Sequence, residues 1–428
     1  MITFLRRHSG MVSVAAFFGI KVALALVLLK LSATGLDPAG FALFSQFLLF
    51  SALLNLIASG GVQHGLVRQI AGSGAETVQA RTAFRAAVEI WAVVSLAILL
   101  IIPFHGSVSV LLTGNAAAGW IVPFIVGAAV LNGLGQLFAA TLIGTGKLTA
   151  NAGAQAAGLV AGTAASAWLL GRGEAEQAAV AFALGSLATP LCAVLLARGC
   201  PAIGLGMTRG LGAERRWLLG YSGAFVVAAS LMPAVLFALR YVYLEVFGVD
   251  ALADWLVANR VSDVSTQLLG LFMAQWFLPG LAGTTVGAAS LVLARKAFLV
   301  GTAAMLLFAG LFAAGSSIWI PLFISPEYLP AANFIALYMI GDALRVSASI
   351  ALHGALARRR LFTYVGLEVV AATLLAAITL GLIVAGVREA PLFGYPATYL
   401  ILTVALGAVF TRSAITAHRR SESDPDGR

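Results

Sequence analysis

Several long apolar stretches of this chain enclose side chains that carry charge or donate hydrogen bonds. The segment LVANRVSDVSTQLL, Leu256 to Leu269, places Arg260 and Asp263 three residues apart. On a helix that spacing puts them on one face, continued by Gln267 and flanked by Asn259 and Thr266. Further on, Tyr338, Asp342, Arg345, Ser349 and His353 recur at steps of four, three, four and four, a helical stripe. Lys21, Lys30, Glu89 and Glu368 are enclosed as well, and amide stripes run through Asn55, Ser59 and Gln63, through Asn132 and Gln136, and through Asn151 and Gln155.

These types point to two kinds of chemistry. Cations sheltered from water hold an anion through charge-assisted hydrogen bonds, and carboxylates in the same setting take up or release a proton or a metal cation. The structural alternative is that Arg260 with Asp263, and Asp342 with Arg345, neutralise each other, while the amides tie helices together. The sequence leaves both open, because Lys21, Lys30, Arg260 and Arg345 are matched by Glu89, Asp263, Asp342 and Glu368. Lys21 and Lys30 are nine residues apart, half a turn out of phase, so they do not share a face of a straight helix. Lys30 is expected to snorkel outward, which leaves the deeper Lys21 as the candidate for an anion.

What must position these residues is set by composition. The 428 residues are 61% hydrophobic and 10% charged, with a mean hydropathy of +0.98. Soluble domains hold about 45–50% apolar and about 25% charged residues, so this chain is expected to lie in a bilayer. Runs of roughly 20 apolar residues, the length that crosses a core of about 30 Å as a helix, recur throughout. About twelve spans are expected, at 10–31, 41–63, 83–104, 118–140, 150–171, 177–198, 217–239, 251–274, 297–321, 331–354, 362–386 and 395–416, giving an all-α integral membrane protein. Kinks are expected near Pro103, Pro123, Pro233 and Pro279.

Basic residues fix the orientation, because positively charged short loops stay in the cytoplasm. With the N-terminus inside, almost all Lys and Arg of the connections, from Arg6 and Arg7 to Arg419 and Arg420, are internal, and only Arg172, Arg240 and Arg388 fall outside. Both termini are therefore expected in the cytoplasm. The same asymmetry accounts for the net charge of +9 without a nucleic-acid partner; anionic headgroups are the simpler counterpart.

The apolar run of the N-terminus continues to about Leu31 without a small-residue cleavage pattern, and it reads as span 1 rather than a signal peptide. Cys192 and Cys200 suggest neither a disulfide framework nor a zinc site. The hexapeptide GTGKLT at Gly144 is an incomplete phosphate loop, with Thr141 where the first Gly belongs and Leu148 where Ser or Thr belongs. No nucleophile elbow or metalloprotease motif occurs, so an enzyme is not expected.

An internal repeat is visible. GLDPAGFALFSQ from Gly35 and GVDALADWLVAN from Gly248 share a Gly-x-Asp opening at an offset of 213 residues, and LLTGNAAAGWIVPF and LFISPEYLPAANF echo each other at nearly the same offset. This suggests a six-plus-six duplication with parallel halves: an N-terminal bundle at 1–205, a C-terminal bundle at 206–418, and a disordered cytoplasmic tail at 419–428.

Three blocks resemble the O-antigen and enterobacterial-common-antigen (lipid III) flippases, a branch of the multidrug/oligosaccharidyl-lipid/polysaccharide (MOP) exporter superfamily. They are GLDPAGFALFSQFLLFSALLNLIASGGVQHGLVRQIAG, DWLVANRVSDVSTQLLGLFMAQWFLPGLA and LFISPEYLPAANFIALYMIGDALRV. The sequence departs from the family pattern at Ala258–Asn259 before Arg260, and at Gly280 after the Leu-Pro. The resemblance implies two six-helix bundles related by pseudo-two-fold symmetry in a bacterial inner membrane. It implies transfer of an undecaprenyl-pyrophosphate-linked oligosaccharide to the periplasmic leaflet by alternating access, for surface polysaccharide biosynthesis.

On that reading Lys21, Arg260 and Arg345 hold the pyrophosphate, and Asn55, Gln63, Asn132, Gln136, Asn259, Gln267 and Tyr338 meet the glycan. Glu89, Asp263, Asp342 and Glu368 are the candidates for coupling to a proton or sodium gradient. No cofactor is implied; a polysaccharide polymerase and a chain-length regulator in the same membrane are the protein partners it admits. The alternatives are a multidrug or small-molecule cation antiporter of the same superfamily and, from another class, a membrane-embedded glycosyltransferase or polymerase.

Overall fold

A computed structural model describes residues 9–74, 76–203, 211–273, 277, 281, 288–357 and 360–423. Among the described residues every regular element is helical and no strand occurs, as a lipid environment demands of backbone groups that have no water to bond. Nine helical stretches there are long and apolar enough to cross a membrane. One of them, Arg215–Gln267, has 53 residues, about 80 Å of helix at 1.5 Å per residue against a hydrocarbon core of about 30 Å. Gly248 interrupts it, at φ 82° and ψ 177°, a conformation open to glycine and strained for other residues. Ser9–Gly35 and Leu148–Leu170, of 27 and 23 residues, are also of membrane length; the second is built largely of Ala and Gly and is correspondingly less apolar.

Helix boundaries follow local chemistry. Asp37 caps Pro38–Ala58, its carboxylate accepting from the Gly40 amide at 2.8 Å, with Pro38 in the first turn where no amide hydrogen is needed. Thr77 caps Val78–Leu99 in the same way. Gly60 and Gly61, both left-handed, turn the chain after Ala58 and start a separate helix, Val62–Ser73.

This turn corrects one expectation. Gln63 does not extend the stripe of Asn55 and Ser59 but lies on the next helix, because the paired glycines end the first one. Pro103 lies in the short turn Ile102–Phe104, whereas Pro123 sits in the first turn of Ile121–Gly144 and breaks nothing. Pro279 and Gly280 lie outside the described residues. The last helix, Ala390–Ser423, takes in residues 419–423 of the expected tail, since extending a formed helix costs far less than nucleating one.

The chain divides into two compact units, Met1–Pro233 and Ala234–Arg428. The boundary between these units falls inside the helix Leu211–Phe272, the start of which packs within the first unit. Leu218 joins Val62, Leu66, Phe84 and Leu137 in a buried cluster, Ser222 bonds the Gly60 carbonyl, and the Arg81 side chain donates to the Pro201 carbonyl at 2.9 Å. Small residues bring helices close elsewhere in this unit. A Cβ on Gly133 would stand 2.7 Å from the Ala58 backbone, and one on Gly185 would stand 2.6 Å from Gly162, the pattern of helix packing in lipid. The second unit has its own core of Leu269, Met273, Phe277, Leu281, Met305, Val346 and Ile350.

Candidate functional site

A buried polar cluster in the second unit is built on three helices. Asp342, on Ala332–Ala357, is 1% exposed. Its Oδ1 accepts from the Ser262 hydroxyl at 2.8 Å and from the Tyr395 hydroxyl at 2.7 Å, and its Oδ2 accepts from Ser265. Ser262 and Ser265 come from the helix after Gly248, three residues apart and so on one face; Tyr395 comes from the last helix. A carboxylate this deep is tolerable because each oxygen is bonded.

Of the expected stripe on Ala332–Ala357, Tyr338, Asp342 and Arg345 meet in this cluster, but Asp342 does not use its neighbour Arg345 as its contact partner. Arg345 reaches the Tyr395 hydroxyl at 3.4 Å and stands 5.5 Å from the centre of the Tyr399 ring, within the range of cation–π attraction. Tyr338 is 2% exposed and stacks on Tyr395. Glu368, half-buried on Leu361–Val384, lies within electrostatic reach of Arg345. Ser347 bonds Thr403 at 2.7 Å, tying the same two helices together one turn further along.

A second group adjoins it on the helix after Gly248. Arg260 pairs with Asp263 at 3.7 Å, and Asn259 donates to Asp263 at 3.4 Å. Arg240 donates to the Asn259 Oδ1 and lies 5.5 Å over the Trp255 ring. Gln267 has its Oε1 buried without a hydrogen-bond partner. Arg240 corrects the sequence reading, which assigned it to an outer loop. The helix runs on through it, and the side chain is 2% exposed; the indole and the amide compensate for lost water.

The other predicted residues lie in the first unit. Lys21 is half-buried on Ser9–Gly35. Asn55 donates to Ser51 at 3.5 Å while its Oδ1, like the Oε1 of Gln63, is buried without a partner. Asn132 donates to Ser186 at 2.8 Å across two helices, as interhelical glue does, and Gln136 is half-buried on the same helix. Glu89 is clasped by Arg85 at 3.3 Å and by two nitrogens of Arg215.

Sequence reasoning missed Arg240, Ser262, Ser265, Tyr395 and Tyr399. Two signals were present: Tyr395, Tyr399 and Thr403 recur at steps of four in the last span, and Ser262 and Ser265 alternate with the charged pair. Among the described residues no group of His, Cys, Asp and Glu is placed to hold a metal ion.

No family model matches the chain, and no curated protein does. Solved structures do. An inward-facing multidrug resistance MATE family transporter of the MOP superfamily aligns with a TM-score of 0.63 at 14% identity, over 92% of this chain and 94% of that one. An outward-facing transporter of the same description aligns at 0.65 and 13%, over 94% and 96%. The lipid II flippase MurJ, in an inward closed conformation, aligns at 0.64 and 12%, over 95% and 90%. Likeness at this identity establishes the fold: the chain is a multi-pass, all-α membrane protein with the architecture of the MOP-superfamily transporters MATE and MurJ.

Proposed function

We propose that the chain is a secondary transporter of the MOP type, not an enzyme, and that its cargo is a lipid-linked oligosaccharide carried to the periplasmic leaflet of a bacterial inner membrane. The reading includes twelve crossings in two parallel six-helix bundles with both termini in the cytoplasm. The observation that carries it is the grouping of Arg240, Arg260 and Arg345 with tyrosines and amides in one unit. Guanidinium groups suit a pyrophosphate, because their forked donors match its oxygens and their charge persists when buried. Tyr338, Asn259 and Gln267 suit sugar hydroxyls.

In this reading Arg260 and Arg345, half-buried in the second unit, and Lys21, in the first, are assigned to the diphosphate, and Asn55, Gln63, Asn132 and Gln136 to the glycan. Asp342 is the best coupling group of the four acids, because Glu89 and Asp263 are engaged by arginines. A proton or sodium gradient drives the cycle. A polymerase and a chain-length regulator of the same membrane are its prospective partners.

A second reading has its own support. The similar solved structures include several of MATE and two of a multidrug resistance MATE family transporter, which favours a small-molecule cation antiporter over a flippase. Reconstituted vesicles separate the two. With an imposed ion gradient, a labelled polyprenyl-pyrophosphate oligosaccharide is expected to change leaflets. Export of a cationic dye with no movement of the lipid would overturn the flippase reading in favour of the antiporter.

A further inference from the structure

Arg240 and Asn259 stand 19 residues apart, on either side of Gly248. On an unbroken helix that separation is about 28 Å, yet the Arg240 guanidinium donates to the Asn259 Oδ1, so the break at Gly248 lays the two arms of this helix side by side. Arg240 is 2% exposed, and the buried Trp255 ring, 5.5 Å from the guanidinium carbon, fixes where that donor sits. Tyr243 packs edge-on against the same indole at 5.3 Å.

One amide links this cation to a second. A guanidinium only donates and a carboxylate only accepts, so Asn259, between Arg240 and Asp263, has a single orientation that satisfies both. Its oxygen faces Arg240, and its nitrogen donates to the Asp263 Oδ1 at 3.4 Å. Asp263 is thereby shared. Its Oδ2 stands 3.7 Å from Arg260, well beyond the separation of about 2.7–2.9 Å in a charge-assisted hydrogen bond. The Asp263 and Arg260 side chains are 44% and 27% exposed, so closing that gap needs no repacking of a core.

We propose that Arg240 is a positioning residue for the anion grip: by orienting Asn259 it draws Asp263 away from Arg260, and so lowers what a diphosphate must displace to reach the Arg260 guanidinium. The inference rests on the reading of Arg260 as a diphosphate contact. Without Arg240 the amide is no longer turned toward Asp263, the carboxylate closes on Arg260 as a forked ion pair, and the cargo competes with it. Arg240 also lies within electrostatic reach of both Arg260 and Asp263, so direct attraction of the anion by its own charge is the competing explanation. The two differ in whether the effect of Arg240 depends on Asp263.

The test is equilibrium binding of a fluorescent polyprenyl pyrophosphate without sugars to the full chain in detergent, which keeps any sugar contact of Asn259 out of the measurement. Arg240→Met is expected to weaken binding by up to about fivefold, the ratio that corresponds to about 1 kcal/mol for a partly exposed ion pair between Asp263 and Arg260. Asn259→Leu, which breaks the same link without removing a buried charge, is expected to weaken it equally, and the two changes together no further. In an Asp263→Asn background neither change is expected to weaken binding, because no carboxylate remains to close on Arg260. Should Arg240→Met fail to fold, Asn259→Leu with and without Asp263→Asn decides alone. Full binding by either single variant, or a loss that persists undiminished in the Asp263→Asn background, would overturn the positioning role while leaving the grip standing if Arg260→Gln abolishes binding. Full binding by Arg260→Gln would overturn both.

Discussion

Tyr338 and Tyr395 lie face to face, their ring centroids 4.3 Å apart and their planes 3° from parallel. The stack joins the helix of Asp342 to the last helix, and it aims the Tyr395 hydroxyl at the carboxylate 2.7 Å away. One aromatic pair thus fixes both a helix contact and the hydrogen bonding of the deepest acid in the second unit.

Tyr395→Phe separates these two roles. The stack survives, but Asp342 loses one of three donors and Arg345 loses its hydroxyl partner. A hydrogen bond to a charged group contributes about 1.5–3 kcal/mol, so the thermal unfolding midpoint in detergent is expected to fall and gradient-driven transport to be largely lost. Tyr338→Phe keeps both the stack and the Tyr395 bond, and is expected to leave the unfolding midpoint near that of the unmodified protein and to weaken cargo binding rather than gradient coupling. Equal losses in the two variants would contradict this division of roles.

Glu89 invites a different outcome. Two arginines clasp it, and one of them, Arg215, stands at the start of the helix that links the units in sequence. The three side chains are about one-quarter to one-half exposed, where such pairs contribute about 0–1 kcal/mol. Glu89→Gln is expected to cost no more than that in stability and to leave transport coupled to the gradient. Uncoupled transport in this variant would return Glu89 to the coupling role expected from sequence.

Much of the architecture was legible because helices in lipid must be long, apolar and internally bonded, and the polar stripe from Tyr338 to His353 stood out for the same reason. What stayed hidden depended on packing. Arg240 reads as a loop residue until a helix is seen to run through it. The repeated Gly-x-Asp shows the limit most clearly. Asp37 caps a helix, while Asp250 follows a left-handed break. Gly35 lies against the Leu170 carbonyl, whereas Gly248 touches nothing and supplies a positive φ. One sequence signal serves two physical purposes.

That difference is measurable. Gly248→Ala meets no steric neighbour, so its cost is backbone strain, about 1–3 kcal/mol for an alanine held in a region that glycine alone adopts freely. Gly185→Ala has ordinary φ but drives a methyl group into the Gly162 backbone, an overpacking cost of about 1–3 kcal/mol. Both are expected to lower the unfolding midpoint. Gly248→Asn is expected to cost about as much as Gly248→Ala, because at ψ 177° the strain falls on any residue with a Cβ, whereas at position 185 the cost grows with the size of the side chain. A loss that grows with side-chain size at 248, or one independent of size at 185, would contradict the assignment.

Arg260 poses the question of whether a sheltered cation serves the cargo or only its neighbour. The Asp263 contact is long, 3.7 Å, and the pair is 27% and 44% exposed, so it contributes at most about 1 kcal/mol. Were neutralising Asp263 the purpose of Arg260, Asp263→Asn would leave an uncompensated guanidinium, and Arg260→Gln in the same chain would restore the lost stability. If Arg260 holds a diphosphate, Asp263→Asn strengthens the grip by removing a competing anion, and adding Arg260→Gln abolishes it. The proposed function requires the second pattern: lipid binding by Asp263→Asn at least equal to that of the unmodified protein, and binding by the double variant reduced to background, both measured at matched membrane expression. Restored binding in the double variant would assign Arg260 to structure alone.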